Sequence, residues 1–196
     1  ENKIVFISRV FIGFLAFELL SLYSDLFTQL ENNTFISINL KGVAGNKNIT
    51  AASIAFKVPF VFYSIVTIRK RFFKFILSFL LFTAVFAISI LYARSAILSS
   101  FIVFLIFLVY SVYTLLTNRT QLKHNLSNLS LTIAPYVLAV LLNITFTNSQ
   151  NRGDIGSQLG DIEFTEKSSN GRFQYWSDAF EHIQDHPIIG AGLGNW

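Results

Sequence analysis

Cysteine is absent from the sequence, which excludes a disulfide framework, a thiolate nucleophile and a thiolate metal site. Methionine is absent too, and the chain opens on Glu1. A complete translation product starts with Met, and this chain closes inside a glycine-rich pattern, so we expect a fragment of a longer protein. Charge is scarce: 13% of residues are charged, 53% are hydrophobic, and 22 of 196 are Phe. That balance excludes a soluble domain and gives an all-α, polytopic membrane protein. The first apolar run is too long for a signal peptide and lacks a small-residue cleavage site, so it reads as a true span. Neither a phosphate-cradling Gly-x-x-x-x-Gly-Lys-Ser/Thr loop nor a dinucleotide glycine fingerprint occurs, so no nucleotide cofactor is expected.

What charge there is falls unevenly. Residues 1–147 carry 12 Lys and Arg against 4 Asp and Glu, whereas residues 148–196 carry 3 against 7. A nucleic-acid partner would not explain such a split; basic residues at membrane edges would, because they set topology.

Five apolar runs near 4–27, 51–68, 75–93, 96–116 and 129–147 are long enough to cross a bilayer. They divide the chain into a transmembrane region, 1–147, and an outer or periplasmic segment, 148–196. The run from Phe75 to Leu116 far exceeds any bilayer, so the chain must turn near Arg94-Ser95. Arg69, Lys70, Arg71 and Lys74 form one basic cluster, and Arg119, Lys123 and His124 a second. By the positive-inside rule both face the cytoplasm, and alternation of the spans agrees. The same alternation brings the Gly45–Asn48 loop, Arg94 and the segment bearing Arg172 to the outer side. Asn148 to Gly171 is polar and glycine-bearing, as expected of a mobile link.

Arg94, flanked by two long spans, either snorkels to the headgroups or binds an anion such as phosphate, which suits its planar fork and permanent charge. That permanence excludes it as a general base. Glu18 and Lys57 lie within spans one and two, as a structural ion pair or as part of a proton or ion path. Gly45-Asn46-Lys47-Asn48 is a turn by composition and could also line a site with amide donors. No pairing of His182, His186 or His124 with a carboxylate has metal-ligand spacing, and no metal is assigned.

The closing stretch organises the remainder. Phe173, Trp176, Phe180 and Ile183 recur at helical spacing, which predicts an amphipathic helix with Asp178, Glu181 and Asp185 away from the apolar face. Pro187 ends it, and Gly190, Gly192 and Gly194 follow before Asn195. Taken by itself this is also what a helix lying on the membrane surface would look like. Three separated patterns, Gly45-Asn46-Lys47-Asn48, Ala93-Arg94-Ser95-Ala96, and Gly171-Arg172 to Trp176 leading to His186-Pro187 and Gly190 to Asn195, together resemble the O-antigen ligase and polymerase family of bacterial membrane proteins.

That resemblance implies a GT-C-like, metal-independent transferase in the bacterial inner membrane. It would move a glycan from an undecaprenyl diphosphate carrier to an acceptor glycan or lipid A core at the periplasmic face, in lipopolysaccharide and other cell-surface polysaccharide biosynthesis. Arg94 and Arg172 are the positions that match the family's diphosphate-binding arginines, with Asn46, Lys47, Asn48, Gly190, Gly192 and Asn195 as supporting residues. The family's proposed catalytic histidine follows the glycine pattern and is expected beyond Trp196; His186 occupies the His-Pro position and is not that residue. A transporter or flippase using Glu18 and Lys57 is the alternative, which would call for inverted repeats and broken helices. A structural membrane subunit is the third reading.

Overall fold

The computed structural model describes residues 3–32, 39–117, 122–149 and 172–185. Two compact units divide the chain, Glu1–Ile155 and Gly156–Trp196. The first contains α1 (Lys3–Glu31), α2 (Lys47–Thr67), α3 (Arg71–Ile90), α4 (Arg94–Thr117) and α5 (Leu122–Ser149), and the second contains α6 (Arg172–Asp185). No strand occurs among the described residues. All five helices of the first unit are long and apolar enough to cross a membrane.

Side-chain hydrogen bonds give the direction of each helix against its neighbours. Glu18 meets Lys57 at one level and Asp25 meets Gly42 at another, so α1 and α2 are antiparallel. Tyr23 Oη donates to the Thr83 carbonyl (2.7 Å), tying α1 to α3. Lys74 pairs with Asn128, Ser78 with Leu131 and Asn143 with Ser89, so α3 and α5 run parallel. Asn125 reaches the Thr114 carbonyl and Tyr136 the Ser100 carbonyl, so α4 and α5 are antiparallel. The chain therefore crosses back and forth without skipping a pass.

Burial follows the inverted logic of a bilayer, in which apolar side chains on the outside cost nothing. On α1 the buried face is the stripe Ser8, Leu15, Leu19, Leu22 and Leu26, while Phe6, Phe14, Phe17 and Leu20 face outward. Helices α2 and α3 are central, and α3 packs most extensively on α5. Polar side chains hold that contact together, since they find partners across helices in place of water. Pro135 illustrates this. It cannot donate to the Leu131 carbonyl four residues earlier, and Ser78 Oγ on α3 donates to that carbonyl instead (3.2 Å).

The helices begin and end differently from the apolar runs. The turn between the third and fourth passes is Leu91–Ala93, with Tyr92 at φ +54°, and Arg94 is the first residue of α4. Lys47 and Asn48, expected in a loop, form the first turn of α2 behind the cap residue Asn46. Helix α5 starts at Leu122, so Lys123 and His124 are helical. Lys74, expected at a membrane edge, is buried in α3, 2% exposed, with its ammonium on Asn128 Oδ1. In each case a helix ran on through polar residues that hydropathy alone assigns to a loop.

Helix α6 stands in the second unit. Trp176, Phe180 and Ile183 are exposed on it, and His182 is half-buried. The link expected from Asn148 to Gly171 begins inside α5, which runs to Ser149, and its residues 150–171 lie outside the described residues, as does Pro187.

Candidate functional site

The end of the helical unit that carries the α1–α2 and α3–α4 connections brings together two of the sequence-predicted segments. On the α2 side, Gly42 and Gly45 take positive φ (+54° and +68°) in a turn closed by Gly45 N–H donating to the Gly42 carbonyl (3.3 Å). A side chain at Gly42 would be strained by that φ, and its Cβ would stand 3.0 Å from Thr50 Cγ2. Gly42 N–H donates to Asp25 Oδ2 (3.3 Å), and Thr50 Oγ1 donates to the Lys41 carbonyl (2.5 Å). The turn is thus fastened to both helices.

Asn46 then caps α2. Its Oδ1 accepts from the Asn48 N–H (2.9 Å) and the Ile49 N–H (3.4 Å), which satisfies two of the amides a helix start leaves open. It thereby sets Asn48 and Lys47 on the first turn of α2. Asn48 is exposed and Lys47 half-buried.

At the α3–α4 turn the Ala93 carbonyl accepts the Ile97 N–H (3.0 Å), so α4 is hydrogen-bonded from its first turn. Arg94 is half-buried at that start. A cation at a helix N-terminus stands against the helix dipole, whose positive end it meets. Such a placement is relieved by an anion, which the guanidinium and the N-terminal amides attract together.

An open groove of about 540 Å³ lies beside this turn, between α2 and α4. Ala52, Ala55, Phe56 and Phe60 line it from α2, and Ser95, Ser99 and Val103 from α4. Phe11 of α1 stacks on Phe60 with ring centroids 4.4 Å apart. The groove was not foreseen from the sequence. Its signal there is the spacing of small residues, Ala52 and Ala55 on one helix, Ser95 and Ser99 on the other, which keeps that side of each helix shallow. A second open, apolar cleft of about 640 Å³ lies between α3 and α5, walled by Phe75, Phe79, Phe82, Pro135 and Leu138.

Glu18 and Lys57 form the ion pair expected of them. Lys57 Nζ lies 2.8 Å from Glu18 Oε2, and Ser53 closes a ring, donating to Glu18 Oε1 (2.7 Å) while Lys57 Nζ reaches Ser53 Oγ (2.6 Å) and the Ser53 carbonyl (3.1 Å). Both charges are satisfied by close neighbours, which suits a fixed brace between α1 and α2. Among the described residues no group of three His, Cys, Asp or Glu could hold a metal ion.

Arg172 is the first residue of α6, in the other unit; its side chain lies outside the described residues, as do Gly190, Gly192 and Asn195.

These features define a polytopic helical membrane protein with a cationic turn at one end of its bundle. A family model described as O-antigen ligase matches residues 79–196, which takes in the second half of α3, the Arg94 turn, α4, α5 and α6. The chain belongs to the O-antigen ligase family, and is a membrane enzyme of O-antigen and polysaccharide biosynthesis, of the ligase or polymerase kind, whose substrates are a lipid-linked glycan and an acceptor. No curated protein and no solved structure matches the chain.

Proposed function

We propose that this chain is part of a metal-independent glycosyltransferase of the bacterial inner membrane that moves a glycan from undecaprenyl diphosphate to an acceptor at the periplasmic face. In this reading residues 1–147 cross the membrane and 148–196 form a periplasmic segment. Arg94 and Arg172 hold the diphosphate. The observation that carries the proposal is the position of Arg94: a cation at the N-terminus of α4, fixed by a turn of three residues. As the sugar leaves, charge gathers on the diphosphate, and donors already aimed at it stabilise the transition state more than the ground state. The groove beside Ser95 and Ser99 supports the same reading, because an open apolar groove next to a phosphate site suits an isoprenoid chain. The acceptor hydroxyl needs a general base, which arginine cannot supply.

The test is glycan transfer by the full-length protein with Arg94→Ala, Arg94→Lys, Arg172→Ala and Arg172→Lys at matched membrane abundance. Loss of one preorganised donor is expected to lower transfer on the order of 10²-fold. Lysine keeps charge but not the fork and should restore little of it. Near-normal transfer by both lysine variants would remove the bidentate grip; near-normal transfer by both alanine variants would remove the site.

A further inference from the structure

The two ends of the helical unit differ in how their charges are answered. Between residues 32 and 153 the sequence holds eleven Lys and Arg and no Asp or Glu. The carboxylates of the described helices in this unit belong to α1. Glu18 is engaged by Lys57 in mid-helix, Asp25 lies against Gly42, and Glu31 closes the helix at the Arg94 end. By the antiparallel course of α1 and α2, none of them reaches the opposite end, where α2 passes to α3 and α5 begins.

That opposite end gathers cations. Arg69, Lys70 and Arg71 are exposed on the α2–α3 link and the start of α3, and Lys123 is exposed on the first turn of α5. The hydrogen bond from Lys74 to Asn128 seats the start of α5 against the start of α3, which brings His124 near the α2–α3 link that carries Arg69. Lys74 is buried behind it, its ammonium on Asn128, one helical turn past His124. Arg69, Lys70, Arg71 and Lys123 carry like charge, and such groups repel one another. Among the described residues no carboxylate stands at this end, and an anion of another molecule would answer the charge there.

Two exposed rings say which kind. Phe72 and Phe73 stand on the first turn of α3 beside the exposed cations, edge-to-face with centroids 5.8 Å apart. Apolar rings next to cations at the end of a membrane span match a layer where acyl chains give way to headgroups, and basic pockets between spans on the cytoplasmic side are suited to anionic lipid. We propose that the junction of α2, α3 and α5 binds the headgroup phosphate of an anionic phospholipid, with Arg69 and His124 contacting it and Lys74 adding charge from behind. The site is at the far end of the bundle from Arg94 and does not depend on the transferase reading.

The experiment places the full-length protein in phosphatidylcholine nanodiscs with and without phosphatidylglycerol, counts the lipids it retains in native mass spectrometry, and follows its thermal unfolding midpoint. Phosphatidylglycerol should be retained several-fold over its share of the bilayer and should raise the midpoint. Arg69→Gln with His124→Gln should bring retention down to that share. Lys41→Gln, which removes one exposed charge at the other end, should leave it unchanged. If the double variant does not fold, Arg69→Gln alone, on an exposed link, should still lower retention. Equal retention of the two lipids by the unaltered protein would overturn the site. Equal losses in the Arg69 and Lys41 variants would reduce it to general attraction, and a midpoint raised as far by inorganic phosphate in phosphatidylcholine would reduce it to a free-anion site.

Discussion

Lys57 and Lys74 are both buried lysines on central helices, and the two are answered in different ways. Lys57 has a carboxylate, Glu18, with Ser53 bridging the pair. Lys74 has the neutral amide of Asn128. A charge matched by a charge loses much when one member goes, because the other is left buried and uncompensated; a charge met by a dipole loses a hydrogen bond. The α1–α2 contact is therefore held by something that fails abruptly, and the α3–α5 contact by several smaller bonds, Ser78 to Leu131 and Asn143 to Ser89 among them.

That contrast can be broken by substitution, with stability read as the thermal midpoint and folded yield of the full-length protein in nanodiscs. Lys57→Met, which strands the Glu18 carboxylate, is expected to cost about 3–5 kcal/mol. Glu18→Gln combined with Lys57→Gln should recover most of it, and a double variant no better than Lys57→Met would end the pairing argument. Asn128→Leu takes the acceptor from the Lys74 ammonium and should cost about 2–3 kcal/mol, the scale of a hydrogen bond to a charged group. If it proved as damaging as Lys57→Met, the distinction between the two lysines would collapse. Ser53→Ala removes the bridge but leaves both charges in contact, for roughly 1 kcal/mol. Smallest of all, Lys74→Met together with Asn128→Leu replaces a buried polar pair by apolar groups of similar length and should change stability by less than about 1 kcal/mol. A large loss there would show that Lys74 has a further partner.

The sequence made Lys57 legible and hid Lys74 for the same reason. Hydropathy marks a lysine inside an apolar run as intramembrane, and Lys57 has such a run on both sides. Lys74 follows Arg69, Lys70 and Arg71, so it reads as the last member of a membrane-edge cluster. What decided its place is that α3 starts at Arg71 and turns position 74 toward α5, a matter of helix phase that composition does not register. The five passes and their alternation were readable because bilayer thickness fixes span length. Their ends were not, because polar residues such as Asn46 and Lys47 cap and begin a helix as readily as they leave one. At the candidate site, Arg94 stood out as a charge between two long apolar runs, whereas the Ser95 and Ser99 side of the groove consists of small residues that carry no signal until a second helix lies against them.

The parallel pairing of α3 with α5 also sets an order of events during synthesis. Asn128 lies 54 residues after Lys74, and at translation rates of about 5–20 residues per second its emergence lags by roughly 3–11 s. Throughout that interval α3 has left the ribosome with its buried-to-be ammonium lacking the amide that will receive it, and with the Ser78 hydroxyl lacking the Leu131 carbonyl. The insertion machinery must shelter α3, or leave Lys74 in the headgroup layer, until the fifth pass arrives. The finished bundle is thus assembled out of sequence, its central contact being among the last to close.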